Sequence, residues 1–337
     1  MADGGFTATG CGRLEERVLR YVCQPLLARI PRSVRPNAIS LTTHFAAWVT
    51  NLLACVSVYL SPLGRTLALC GAGLGTFVGV VGDCLDGMQA RKTGQCSKLG
   101  EMMDHWLDAI NVPLVTLGMT AALQLDPWLT AAVHVTNAMI YNAQLILYHH
   151  SGKFVHPNTT GVDAQVGIAV GYVTLAIALL LVDPLSRNVH LTFTVVGCVA
   201  IATQLRLNFF YYARLRGLVL YHLPFVLLGG ALSGLYVGGA LDRYGFSLAV
   251  VFLSFRITGS YVQATILKRR YAGFDAGMLF WLAAIAAGRW LLPPLTLAFG
   301  VTLQGLLPYL ACAYLAGRTL GSFALRFGEI TAPPPPR

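Results

Sequence analysis

Four aspartates, two glycines, an alanine and an arginine stand at fixed spacings between positions 83 and 108. They are Asp83, Asp86, Gly87, Ala90 and Arg91, then Gly100, Asp104 and Asp108. The chain carries only 14 Asp and Glu among 337 residues, and five of them, counting Glu101, fall in this window. A carboxylate close to lipid is costly, so a cluster of them in a hydrophobic chain marks function. Metal binding and proton or ion transfer are the two chemistries that would offset the cost.

Positions 83, 86/87 and 90 share one face of a helix, and positions 100, 104 and 108 share one face of the next. A short hairpin starting Arg91-Lys92-Thr93-Gly94 makes these helices antiparallel neighbours, so the two acidic faces can meet. Asp83, Asp86 and Asp104, with Asp108 one turn further along, then offer oxygen ligands to one or two hard divalent cations. Mg²⁺ is the expected ion, with Mn²⁺ as the alternative, since Mg²⁺ takes carboxylates while keeping waters and phosphate oxygens. Gly87, Ala90 and Gly100 leave room for a flat or bulky ligand, or else bring membrane helices close. Arg91 is placed to hold a phosphate, or to anchor the end of a span. Metal, phosphate-binding cation and carboxylate base together are the equipment of phosphoryl transfer.

The elements that position these groups must be membrane helices. Hydrophobic residues make up 55% and charged residues 11% of the chain, and mean hydropathy is +0.63. A soluble domain carries about 25% charged residues. The expected fold is all-α: a polytopic membrane helix bundle of about ten transmembrane helices, with an N-terminal amphipathic interfacial helix. The expected spans are 38–60, 66–90, 99–124, 127–149, 163–182, 189–213, 220–240, 245–267, 275–292 and 294–316. Leu14, Val18, Leu19, Val22 and Leu26 at helical spacing, beside Arg13, Arg17 and Arg20, give the interfacial helix. Residues 1–37 are thus expected to form a cytosolic tail and interfacial helix, 38–317 a transmembrane catalytic domain with its hairpin at 83–108, and 318–337 a cytosolic proline-rich tail.

The net charge of +10 sits mostly between apolar spans. It is read as helix orientation and attraction to anionic headgroups, not as a nucleic-acid surface. With the N-terminus in the cytosol, most loop arginines and lysines fall on the cytosolic side, and so do the ends of the two acidic helices. Arg206 and Arg256 fall inside spans, where sequence names no partner for them. The eight cysteines include no C-x-x-C pair and are read as reduced.

The pattern D-x-x-D-G-x-x-A-R-x8-G-x-x-x-D-x-x-x-D, complete from Asp83 to Asp108, resembles the signature of the CDP-alcohol phosphotransferase family. Pro36-Asn37-Ala38-Ile39-Ser40 resembles that family's P-N-x-I-[ST] segment. The resemblance implies attack of an alcohol on a phosphate of a CDP-alcohol, with CMP leaving. It implies metal ligation by Asp83, Asp86 and Asp104, and a base at Asp108 that could also ligate. Gly87, Ala90 and Gly100 would accommodate the cytidine and its diphosphate, Arg91 would help place it, and Asn37 would join the nucleotide site.

Within the family, the ten-helix plan and the text around Thr93–Asp108 look most like the choline/ethanolamine phosphotransferases. That implies transfer of phosphocholine or phosphoethanolamine from a CDP-aminoalcohol to diacylglycerol. The alternative is a CDP-diacylglycerol-dependent phosphatidyltransferase acting on inositol, serine or glycerol phosphate. The branch also implies His150 as an auxiliary base or acceptor-orienting group. His105 beside Asp104 is a candidate supporting residue, and Asp163 stands where the branch leads one to expect a glutamate. A homodimer in an endoplasmic reticulum, Golgi or bacterial inner membrane is the implied setting. Two other classes remain: a carboxylate-relay transporter, which should spread its acids across the midplane rather than gather them in one hairpin, and an idle scaffold of the same fold.

Overall fold

The computed structural model describes residues 12–152, 155, 161–181, 187–269, 271, 275–296 and 302–331. The expected extended ends, 1–10 and 332–337, lie outside them. A first helix, α1 (Arg13–Val18), runs through a π-helical turn (Leu19–Cys23) into α2 (Gln24–Arg29). Ten longer helices follow: α3 (Pro36–Val56), α4 (Pro62–Thr93), α5 (Lys98–Ala122), α6 (Pro127–Ser151), α7 (Gly161–Leu181), α8 (Arg187–Leu215), α9 (Val219–Val237), α10 (Arg243–Ile266), α11 (Ala276–Trp290) and α12 (Leu303–Thr331). The described residues contain no β-strand. Helices α3, α4 and α6 open on proline, whose missing N–H would be unsatisfied in a first turn anyway.

Among the described residues, six segments are long and apolar enough to cross a membrane: Pro36–Tyr59, Pro62–Thr93, Gly161–Leu181, Leu191–Leu215, Val219–Val237 and Arg243–Ile266. Each coincides with an expected span. Helices α5 and α6 have 25 residues apiece, or about 37 Å of length. They are less apolar because they carry the polar interior of the bundle, including His105, Asn111, Thr120, His134 and Asn142, all buried. The end of the chain departs from expectation. Helix α11 has only 15 residues, and the next helix begins at Leu303 rather than 294. Pro293 and Pro294 interrupt the chain there, and Gln304 stitches the loop by donating to Pro293 O (2.7 Å) and accepting from Leu295 N (3.1 Å). Helix α12 then runs unbroken through position 317 to Thr331.

Helix α5 lies at the centre, packed against α3, α10, α6, α4 and α12. On one side stand α3, α4 and α7. Asn51 of α3 donates to Thr76 Oγ1 of α4 (3.1 Å), while Tyr172 of α7 donates to Asn51 Oδ1 (2.8 Å) and lies 3.1 Å from the Val115 carbonyl of α5. Four helices are thereby tied through polar groups that lipid could not satisfy. On the other side, α10 contacts α5 through Trp106, whose ring meets Phe255 and Phe323 edge-on at 5.3 and 5.2 Å. Arg256, unpartnered in the sequence reading, bonds Asp275 (3.0 Å), which also takes Tyr314 (2.9 Å) and joins α10, α11 and α12.

The N-terminal helix packs Val18 and Cys23 onto Val81 and Leu85 of α4. Asp163 accepts hydrogen bonds from the amides of Leu14 and Glu15, both at 3.0 Å, and so caps α1 from α7. Lys92 donates to the carbonyls of Leu27 (2.7 Å) and Ile30 (2.9 Å), and Gln89 to those of Pro31 and Val34. The basic end of α4 therefore clamps the strap that leads into α3.

Close approach of α3 and α4 needs a residue without a side chain at Gly75, where an added Cβ would fall on Thr50 of α3. Gly75→Ala is expected to lower the thermal unfolding temperature of the detergent-purified protein, by overpacking worth about 1–3 kcal/mol. Adding Thr50→Ala to the same chain should recover most of the loss, and a thermal melt of the three proteins checks it.

Candidate active site

The hairpin that carries the acidic motif closes in four residues, Gly94 to Ser97. Gly94 adopts φ +71°, the left-handed conformation that ends α4, and Gln95 N donates to Ala90 O at 2.9 Å. Ser97 Oγ accepts from Gly100 N at 3.0 Å and opens α5. With both ends fixed, Asp83 and Asp86 on α4 face Asp104 and Asp108 on α5.

A third helix completes the pocket. Asn37, Ser40 and His44 recur at three- and four-residue spacing along α3. Ser40 Oγ donates to Asp86 Oδ2. His44 Nε2 lies 3.5 Å from Asp108 Oδ1, and its Nδ1 lies 2.9 Å from the Ser40 carbonyl. Two overlapping groups of possible ligands result. In Asp83, Asp86 and Asp104, and again in His44, Asp83 and Asp108, one donor atom from each residue lies within 4.8 Å of the others. Asp83 belongs to both groups.

These residues fit a divalent metal. Two buried atoms in the pocket, His44 Nε2 and Asp83 Oδ1, have no hydrogen-bond partner, and buried polar atoms are rarely left so. The donors are carboxylate oxygens plus one imidazole nitrogen, a set that suits Mg²⁺, Mn²⁺ and their neighbours.

The four expected aspartates are thus brought together, divided between two groups. Asn37 and Gly100 also meet, since a Cβ on Gly100 would sit 3.4 Å from Asn37 Oδ1. Asn37 Nδ2 itself reaches Met103 Sδ at 3.4 Å. Arg91 folds its guanidinium back over Gly87, 3.4 Å from where a Cβ would be, and is otherwise exposed. Ala90 is half-buried one turn below Gly94.

Among the described residues, the histidines beyond α3 belong to neither group. His105 turns away from its neighbour Asp104 and packs against the rings of Tyr148 and His149 at 5.6 and 5.4 Å. His150 Nδ1 pairs with Tyr261 Oη at 2.6 Å, and its ring stacks on Tyr261. Sequence reasoning missed His44, and it gave Ser40 no role. The available signal was their register with Asn37 on one face of α3.

A cavity of about 370 Å³ lies between α5, α6, α7 and α8, lined by Val112, Thr116, Asn137, Tyr141, Gln144 and Gln204, among others. Val112 is one turn beyond Asp108 on α5.

A sequence model described as CDP-alcohol phosphatidyltransferase matches residues 34–214, more than half the chain. The protein belongs to that family. Its matched region runs from the start of α3 to the end of α8 and contains the whole pocket. Cholinephosphotransferase 1 of Bos taurus is 29% identical over 179 residues, covering 51% of this chain and 43% of the relative. Cholinephosphotransferase 1 of Mus musculus is 33% identical over 154 residues, covering 44% and 38%. A CDP-alcohol phosphatidyltransferase class-I family protein of Schizosaccharomyces pombe is 26% identical over 163 residues, covering 46% and 42%. The alignments thus span less than half the length of these relatives.

Gathered carboxylates repel one another and should be stabilised by a divalent ion. Saturating Mg²⁺ or Mn²⁺ is expected to raise the unfolding temperature, with a gain of about 2.7 kcal/mol at a hundredfold excess over Kd. Asp83→Asn should remove most of that rise, because Asp83 serves both groups. Scanning fluorimetry with and without a chelator is the check.

Proposed function

We propose that the protein is a divalent-metal-dependent transferase of phospholipid synthesis. It moves phosphocholine or phosphoethanolamine from a CDP-aminoalcohol to diacylglycerol and releases CMP. The observation that carries this reading is the pair of ligand groups sharing Asp83, built on three helices of a CDP-alcohol phosphatidyltransferase family member. The cholinephosphotransferase relatives support the aminoalcohol donor.

Asp83, Asp86, Asp104 and Asp108 would hold the metal. When bound, a divalent cation neutralises charge on the diphosphate and on the departing CMP. Arg91 lies within reach to steady a phosphate oxygen from the rim, where a guanidinium offers paired donors. Asn37, Gly87, Ala90 and Gly100 form the wall against which the nucleotide rests. Asp108 takes the proton from the acceptor hydroxyl as its oxygen bonds the phosphorus of the aminoalcohol phosphate. The phosphoanhydride bond breaks, and its electrons leave with CMP. His150, held by Tyr261 at the end of α6, would orient the acceptor. The cavity beyond Val112 gives an acyl chain an apolar place near Asp108.

The catalytic unit in this reading is residues 38–317, with ten crossings and a surface-lying N-terminal helix. Both termini and the hairpin face the cytosol, as the loop charges favour. The working form is a homodimer.

CMP release by the purified protein with Mg²⁺ tests the reading. Turnover is expected with CDP-choline or CDP-ethanolamine plus diacylglycerol. It is not expected with CDP-diacylglycerol plus inositol, serine or glycerol phosphate. Asp104→Asn and Asp108→Asn should each reduce it by about 10²–10⁴-fold while leaving the protein in the membrane. Turnover only with the second set moves the protein to the other donor class, and full activity in both variants removes the transferase reading.

A further inference from the structure

The aspartate pattern accounts for every acidic ligand of the pocket, and neither it nor the Pro-Asn segment includes position 44. His44 is nevertheless 1% exposed, deep in the fold, and its Nε2 faces the carboxylates without a hydrogen-bond partner.

The ring's orientation follows from its neighbours. Nδ1 lies 2.9 Å from the Ser40 carbonyl oxygen, which can only accept, so Nδ1 donates there. That leaves Nε2 as the ring atom that faces the carboxylates, with Asp108 Oδ1 at 3.5 Å. A charge-assisted N–H···O bond would be shorter, about 2.7–2.9 Å. Two donors on one ion with bonds near 2.1 Å stand roughly 3.0 Å apart in an octahedron and 3.4 Å in a tetrahedron. The observed 3.5 Å is nearer the spacing of two ligands on one ion than the length of a charge-assisted bond.

The surroundings hold the ring as a ligand would be held. A backbone carbonyl on the far nitrogen is the common way of fixing a metal-binding imidazole. The same residue, Ser40, uses its hydroxyl to hold Asp86, so one residue of α3 orients both ligand groups. Trp48, one turn on, sets its ring edge-on to His44 at 6.5 Å.

We propose that His44 is a metal ligand, joining Asp83 and Asp108 in a nitrogen–oxygen subsite beside the all-carboxylate group of Asp83, Asp86 and Asp104. The inference deepens the transferase reading and rests on it. Imidazole favours first-row transition ions over Mg²⁺. This subsite therefore prefers a first-row ion such as Mn²⁺ to Mg²⁺, while the oxygen-only group accepts either.

Mn²⁺ is both probe and ligand in the test. The full chain in detergent, loaded with Mn²⁺, is examined by electron spin-echo envelope modulation. The expected spectrum shows modulation from a directly bound imidazole nitrogen, and its pattern changes when the protein is grown with heavy-nitrogen histidine. In His44→Gln the modulation is lost while Mn²⁺ still binds the carboxylates. Mn²⁺ affinity should fall about tenfold or more, and Mg²⁺ affinity by less. Bound Mn²⁺ without nitrogen modulation in the unmutated protein would overturn the proposal, as would modulation that persists in His44→Gln. Absence of imidazole modulation in the labelled unmutated protein overturns the proposal even if the variant does not fold. Absence of any Mn²⁺ binding would instead overturn the transferase reading beneath it.

Discussion

Repulsion among carboxylates held close together in a membrane protein is the constraint on which the rest of this structure depends. Like charges a few ångströms apart, at an effective dielectric constant of about 20, repel by a few kcal/mol per pair. Asp83, Asp86 and Asp104 come within 4.8 Å of one another through their donor atoms, and Asp83 and Asp108 do so again with His44. Packing must therefore hold together what electrostatics pushes apart. Small residues draw α4 against α3, the Asn51–Thr76–Tyr172 contacts tie α3, α4, α5 and α7, and a four-residue turn fixes the register of α4 on α5.

The pocket lies within the matched residues 34–214, but its support does not stop there. Helix α10, beyond that match, packs along α5 and buries Phe246, Val250, Leu253 and Val262. Through Trp106 it braces the segment between Asp104 and Asp108. The Asp275 junction joins α10 to α11 and α12 in turn. Chain outside the matched region thus stiffens the helix that carries half of the acidic motif. At the opposite end, Lys92, Gln89 and Asp163 fasten the N-terminal helix across α4 and α7. Gln89 and Lys92, in and beside the acidic motif, bond the strap rather than the pocket.

The acidic motif was legible in sequence because its geometry is local. Spacings of three, four and eight residues, closed by Gly94 and Ser97, determine which aspartates face each other whatever surrounds them. His44 was not legible in the same way. Its partner is 64 positions away on another helix, and their meeting depends on the register of α3 against α5, which no single-helix pattern encodes. The spans in α3, α4 and α7 to α10 were readable from continuous apolar runs of membrane-crossing length. Around α5 and α6, inward polar groups lowered the apolar signal although the helices are long. Near the C-terminus the Pro293-Pro294 pair was visible, but the stitch made by Gln304 was not, so the start of α12 was placed too early.

In the proposed mechanism Asp83 is the ligand shared by two adjoining metal subsites. Counting Mn²⁺ ions bound per chain by equilibrium dialysis, in the unmutated protein, Asp86→Asn and Asp83→Asn, tests it most directly. The account predicts two ions in the first, one in the second, and none bound tightly in the third. An unchanged count in Asp83→Asn, or no bound Mn²⁺ in the unmutated protein, would contradict it.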